Sequence, residues 1–245
     1  MRTLPGKWSY RQVPWDFWLI FLFLGVVVPW RGYKRLKKLL ALPATDTKEK
    51  LALYGWTIAF QWAMTGLVAW RALARGLTTA QLGLSQHTGA KIVAASLGGA
   101  IVLGALHWIN LRRVSRMSGD VSGKMRVLAR RILPVTIVEF FSYSALAVTA
   151  GVCEEFLYRG FAMAALSRTG MATWMVVFCS AALFGLAHAY QGRSGIAGTT
   201  VMGLVFGVVR IAYDTLVPVM ILHATVDLVA GIAGPKYLLQ EQGNN

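Results

Sequence analysis

The chain is 245 residues long, 56% hydrophobic and only 14% charged, with a mean hydropathy of +0.53, a balance that excludes an ordinary soluble domain and makes a membrane its main solvent. The formal net charge of +15 does not argue for nucleic acid. Fourteen of the 25 Lys and Arg residues fall in two windows, 31–50 and 112–131, each between apolar spans, as expected of cytoplasmic loops that also attract anionic lipid headgroups.

Apolar runs near 15–30, 51–70, 92–111, 132–152, 171–190, 195–213 and 215–233 each approach the roughly twenty residues that cross a hydrocarbon core of about 30 Å as a helix. They predict an all-α, polytopic transmembrane bundle of about seven to eight helices, one membrane domain over residues 1–245. Basic residues precede the run Phe17–Val28 as in a signal peptide. Pro29-Trp30-Arg31 stands where a small-residue cleavage site belongs, so an uncleaved helix is expected. Trp15, Trp18 and Trp30 bracket it as interfacial anchors. With both basic windows inside, the N-terminus lies outside and the first four helices cross inward, outward, inward and outward. Glu154–Arg168 either extends the fourth helix or folds back as a short one, and later topology depends on which. Cys153 and Cys179 have no metal-type spacing and read as packed thiols. Pro235–Asn245 reads as a short polar tail. Basic loops and the absence of an organelle signal fit a bacterial inner membrane.

Ionisable groups at membrane depth cost at least a few kcal/mol each, so each one needs a reason. Glu139, Glu154, Glu155 and Asp227 fall within or beside apolar helices, as do His107, His188 and His223. In Glu154-Glu155-Phe156-Leu157-Tyr158-Arg159, Glu155 and Arg159 are spaced to pair on one helical face, which leaves Glu154 facing elsewhere as a candidate general base or acid. Phe184-Gly185-Leu186-Ala187-His188 places a ring and an imidazole one turn apart, with small residues that permit close helix contact. His223-Ala224-Thr225-Val226-Asp227 spaces an imidazole and a carboxylate so that one orients the other or both face one ligand. Taken singly, each cluster is equally well an ion-pair junction, a core histidine or an interhelical clamp. Three of them on successive helices point to one shared pocket, because bundle interiors assemble sites from facing helices. Glu154, His188, His223 and Asp227 there activate water directly or hold a divalent metal that does so.

The order E-E-x-x-x-R, F-x-x-x-H and H-x-x-x-N/D on successive hydrophobic helices resembles the CPBP family, the CAAX-protease and bacteriocin-processing (Abi) membrane proteins that include type II CAAX prenyl endopeptidases. The resemblance covers roughly residues 132–233. It implies an intramembrane peptidase acting on a membrane-associated or lipid-anchored peptide. In that reading Glu154 and His188 activate the attacking water, His223 and Asp227 bind metal or stabilise the oxyanion, and Glu155 and Arg159 form a structural pair. Tyr158 stands where the family usually has Phe, and Asp227 where the prenyl endopeptidases carry Asn. The second difference removes an amide donor, so a metal-ligand or His-orienting role gains over an oxyanion role. The cofactor expected is a divalent ion, zinc first, held by Glu154, His188, His223 and Asp227, beside a metal-free glutamate–histidine alternative. No H-E-x-x-H motif is present to decide between them.

Other readings carry less of the sequence. Gly192-Arg193-Ser194-Gly195 matches the G-x-S-G of rhomboid serine proteases, with His223 on the next helix, but Gly and Ser also suit a tight loop and this leaves Glu154 and Glu155 unexplained. Tyr213-Asp214 resembles an aspartyl motif, although Asp214 pairs more simply with Arg210 at i, i+4. A non-enzymatic immunity, transport or scaffold protein would use the polar cluster to lock the bundle or relay protons. Glu139, about 22 Å from Glu154 along a continuous helix, is too distant for the same site; it lines an access path or pairs with a basic residue.

Overall fold

The structure is a computed structural model that describes residues 13–41, 45–84, 89–116 and 120–239. These residues form α1 (Trp15–Ala41), α2 (Thr47–Ala74), α3 (Ala90–Ser115), α4 (Asp120–Ile132), α5 (Ile137–Ser167), α6 (Thr173–Ala187), α7 (Gly192–Tyr213) and α8 (Val217–Leu238), with a 3-10 turn at Ala189–Gln191. No strand occurs among the described residues. The helices α1, α3, α5, α7 and α8 are long and apolar enough to span a membrane. Together with the exposed Trp, Leu, Ile, Val and Phe side chains that cover them, they make the chain an integral, multi-pass membrane protein.

The basic windows are largely helical rather than loops. Residues 31–41 continue α1, and much of the second window forms the separate amphipathic helix α4. Two caps fix the neighbouring starts. Asp46 accepts from the Glu49 N–H while Glu49 returns a bond to the Asp46 N–H, opening α2 with a capping box. Thr136 caps α5 by accepting from the Glu139 N–H at 3.3 Å, so the fourth long helix starts at 137 rather than 132. At the other end of the chain α8 runs through Pro235 to Leu238, so the polar tail begins later than expected, and residues 240–245 lie outside the described residues.

The basic windows meet at one end of the bundle. The Lys50 ammonium donates to Glu139 Oε2 at 3.1 Å and to the Leu133 carbonyl at 2.8 Å, and Tyr54 donates to the Ile132 carbonyl at 2.6 Å. Glu139 also accepts from Thr47 Oγ1 and from the Val135 N–H, both at 2.7 Å, so its expected basic partner is Lys50. At the opposite end Asp16 pairs with Arg71 and Arg75. There too, Arg168 and Arg210 donate to the Arg75 and Gln81 carbonyls, and the Leu216 N–H reaches Gly83. The salt bridge expected between Arg210 and Asp214 is formed at 3.0 Å.

These ties settle the path after residue 152. α5 continues without reversal to the far end, through a π-helical stretch at Phe156–Ala162, and α6 turns back. With 15 residues, α6 spans only about 22 Å, less than the hydrocarbon core, and it stops inside the bundle at His188. α7 then returns antiparallel against it. The pairing is close: a Cβ on Gly203 would sit 3.0 Å from the Ala181 Cα and from Arg159 Nη2, so a larger residue there would have to push its neighbours back. Gly151 does the same between α5 and α8, where a Cβ would meet the Ala224 nitrogen and Met220 carbonyl at 2.9 Å.

Replacing Lys50 by Met leaves Glu139 buried without its cation and should lower stability by about 3–5 kcal/mol. Thermal unfolding in detergent measures the loss, and the double replacement Lys50→Met/Glu139→Gln should recover most of it.

Candidate active site

Glu154 and Glu155 end the regular part of α5 just before its π-helical stretch. A π turn inserts an extra residue into the helical spacing and is frequent at functional sites. Here Ser180 of α6 donates to the Tyr158 carbonyl within it at 2.7 Å. The Glu155 side chain is fully buried, and its Oε1 accepts from Arg159 Nη1 at 3.0 Å. The same oxygen accepts from His223 Nδ1–H of α8 at 2.7 Å. The pair expected from sequence is therefore one arm of a triad that also orients His223. Asp227 approaches the other ring nitrogen, with Oδ2 3.7 Å from His223 Nε2, so ring orientation falls to Glu155 and not to Asp227.

Phe184 is the hub of the second motif. Its ring lies over the Arg159 guanidinium at 4.3 Å and meets the His188 and Tyr158 rings edge-on, at 4.7 and 5.3 Å between centroids. Its carbonyl accepts from His188 Nδ1–H at 2.9 Å. A carbonyl can only accept, and Glu155, already bound to Arg159, also accepts. Both imidazoles thus carry their proton on Nδ1 when neutral and present an Nε2 lone pair to the pocket.

Both Nε2 atoms converge on Glu154. Its Oε2 lies 3.9 Å from His188 Nε2 and 4.0 Å from His223 Nε2, and it is buried with no hydrogen-bond partner. Separations near 4 Å are too long for direct bonds but short enough for a single oxygen atom to hydrogen-bond to two of these groups at once. The other oxygen, Oε1, accepts from Gln61 Nε2 of α2 at 2.7 Å. Gln61 was not among the candidates read from sequence, although a lone amide in the middle of the 51–70 apolar run was a signal of the kind that singled out the histidines.

A cavity of about 260 Å³ adjoins the site, with Glu154, Gln61, His188 and Tyr190 at one end. It is walled by apolar residues of α1, α2, α4 and α5, among them Phe60, Met64, Leu128 and Leu157, and reaches Arg31 and Arg35 near the basic end. In donor chemistry two imidazoles and two carboxylates suit a divalent ion. Tetrahedral zinc, however, holds its ligand atoms only about 3.3 Å apart, and no three His, Cys, Asp or Glu residues among those described are grouped to hold a metal. As placed, these donors stand 3.7–4.0 Å apart, wider than a tetrahedral zinc site holds them.

Several sequence candidates lie elsewhere. Ser194 is exposed in the first turn of α7 and is not hydrogen-bonded to His223, whose Nε2 faces Glu154 and Asp227 instead, so no Ser–His dyad is formed. Glu139 belongs to the Lys50 cluster. His107 is half-buried on α3. Cys153 and Cys179 are both free thiols.

Removing one member of the fully buried Glu155–Arg159 pair strands the other without its counter-charge. Glu155→Ala or Arg159→Ala should each cost about 3–5 kcal/mol, read as loss of monodisperse protein or a lower unfolding temperature in detergent.

Residues 136–229 match the family described as type II CAAX prenyl endopeptidase Rce1-like. No curated protein and no solved structure matches the chain. The matched segment opens at the Thr136 cap of α5 and closes just beyond Asp227, so it contains Glu154, Glu155, Arg159, Phe184, His188, His223 and Asp227. Over this segment, less than half of the chain, the protein is similar to the Rce1-like CAAX-protease family of membrane proteins.

Proposed function

We propose that the protein is an intramembrane endopeptidase that cleaves a peptide bond of a membrane-associated or lipid-anchored peptide, with water as nucleophile. The observation that carries this reading is the buried, unpartnered Oε2 of Glu154, faced by two imidazole nitrogens at 3.9 and 4.0 Å. A polar pocket of this kind inside an apolar bundle is expensive, and water activation is the chemistry its groups share. The Rce1-like match over the same helices supports a protease.

In the proposed reaction a water sits between Glu154 Oε2 and His188 Nε2, which accept its two O–H groups. As the water oxygen bonds to the scissile carbonyl carbon, one proton passes to Glu154. Collapse of the tetrahedral intermediate breaks the C–N bond, and that proton moves to the leaving nitrogen. His223 in its protonated form donates from Nε2 to the oxyanion, with Glu155 behind Nδ1 and Asp227 beside Nε2 compensating its charge, as the carboxylate does in a catalytic triad. Asp227, a carboxylate where the prenyl endopeptidases carry an amide, serves the imidazole and not the oxyanion directly. No step in this scheme needs a metal.

The apolar cavity beside Glu154 supports a substrate with an extended apolar portion, in keeping with a peptide drawn from the bilayer. Basic ends gathered at one side of the bundle support placement in a bacterial inner membrane with those ends cytoplasmic.

Detergent-purified protein incubated with a library of membrane peptides should yield defined cleavage products. His188→Ala and His223→Ala should each lower the rate by about 10²–10⁴-fold with folding retained, and Ser194→Ala should be silent. Elemental analysis of the same samples should find activity without stoichiometric metal. One zinc per chain, lost together with activity in the His188→Ala/His223→Ala double variant, would replace the direct mechanism with a metallopeptidase one.

A further inference from the structure

Beyond the matched segment, one side chain of the N-terminal half touches the reactive carboxylate. Gln61 lies midway along α2 and donates from Nε2 to Glu154 Oε1 at 2.7 Å. A carboxylate has two equivalent oxygens and free rotation about its last torsion, so an isolated Glu154 would present either oxygen, in any of several orientations, to the imidazoles. The bond to Gln61 removes that freedom. It occupies Oε1 and leaves Oε2, which has no partner in the protein, aimed between His188 and His223.

The amide has a second consequence. Glu154 as carboxylate can only accept, so the Gln61 NH2 group must face it and the amide carbonyl must face away. That carbonyl oxygen is itself buried without a partner, and the residue lines the cavity that adjoins the site. A buried acceptor left bare is unfavourable, and a donor that reaches it from the cavity relieves this. In a peptidase the donor that arrives with the substrate is a backbone N–H.

From these observations we infer that Gln61 is a positioning residue of the active site, which fixes Glu154 through its NH2 group and takes a substrate backbone N–H on its carbonyl oxygen. The inference rests on the proposed peptidase reading for the second half of this role, whereas the first half stands on the contact alone. It makes α2 part of the chemistry and gives the chain's N-terminal half a function other than support.

The test separates shape from hydrogen bonding. Gln61→Glu keeps the shape but exchanges the donor for a second acceptor beside Glu154, and Gln61→Met keeps length and bulk without any polar group. Peptide-cleavage assays should show kcat lowered at least tenfold in Gln61→Met, with the protein still folded, and lowered further in Gln61→Glu. A filler role predicts instead that Gln61→Glu is close to wild type, and that result overturns the inference. Thermal unfolding in detergent tests the contact independently of any activity. The exchange Gln61→Glu/Glu154→Gln restores one donor and one acceptor, so it should regain the stability lost in Gln61→Glu while remaining inactive. Additive stability effects in that cycle would show that the two side chains do not interact and would overturn the inference even if the peptidase reading held. Coupling in the cycle without peptide cleavage by the wild-type protein would uphold the contact, remove the substrate half of the role, and count against the peptidase reading itself.

Discussion

A single buried carboxylate, Glu155, holds the site in place. Its Oε1 binds Arg159 within α5 and His223 on α8, so these two helices are keyed to one another by charge as well as by apolar packing. Desolvating such ions costs several kcal/mol apiece, and only close pairing returns it. The pairing is incomplete: Glu155 Oε2 and two Arg159 nitrogens lack hydrogen-bond partners, and the guanidinium relies on the faces of Phe184 and Phe206 for part of its compensation. An apolar junction of the same volume would suit stability as well or better. What this one supplies is orientation, since it fixes the His223 proton on Nδ1 and turns Nε2 to Glu154.

The rest of the bundle brings the remaining groups to that point at membrane depth. α6 is too short to cross and ends at His188, whose ring is anchored to the Phe184 carbonyl one turn back. The glycine contact of α7 at Gly203 lets the α6–α7 hairpin lie directly against Arg159. Phe184, one residue of a short motif, thereby packs the guanidinium, braces two rings and supplies a carbonyl. α2 arrives from the other side with Gln61. Polar groups from four helices meet Glu154 or its neighbours, while the outer faces of the same helices stay apolar for lipid.

Much of this was legible in the residues. Hydropathy and the two basic windows gave the helical class and the approximate spans, because crossing a bilayer imposes length and apolarity directly. The spacing of Glu155 and Arg159 gave their pairing, since i, i+4 neighbours are set by helix geometry alone. Contacts between helices were not legible in the same way. Glu155 with His223 joins residues 68 apart in sequence, and Gln61 with Glu154 joins residues 93 apart. Such pairs depend on crossing positions that no local pattern encodes. The π-helical stretch after Glu155 has no compositional mark either, and α4 looks like a charged loop to hydropathy because its basic face outweighs its apolar one.

The central claim is that Glu154 activates water for peptide hydrolysis, and the most direct measurement compares wild type with the isosteric Glu154→Gln on the same membrane-peptide library, with products identified by mass spectrometry and folding checked by thermal unfolding. The account predicts defined cleavage by the wild type that falls by about 10²–10⁴-fold in a variant that remains folded. Cleavage that survives the substitution, or a wild-type protein that cuts nothing in the library, would contradict it.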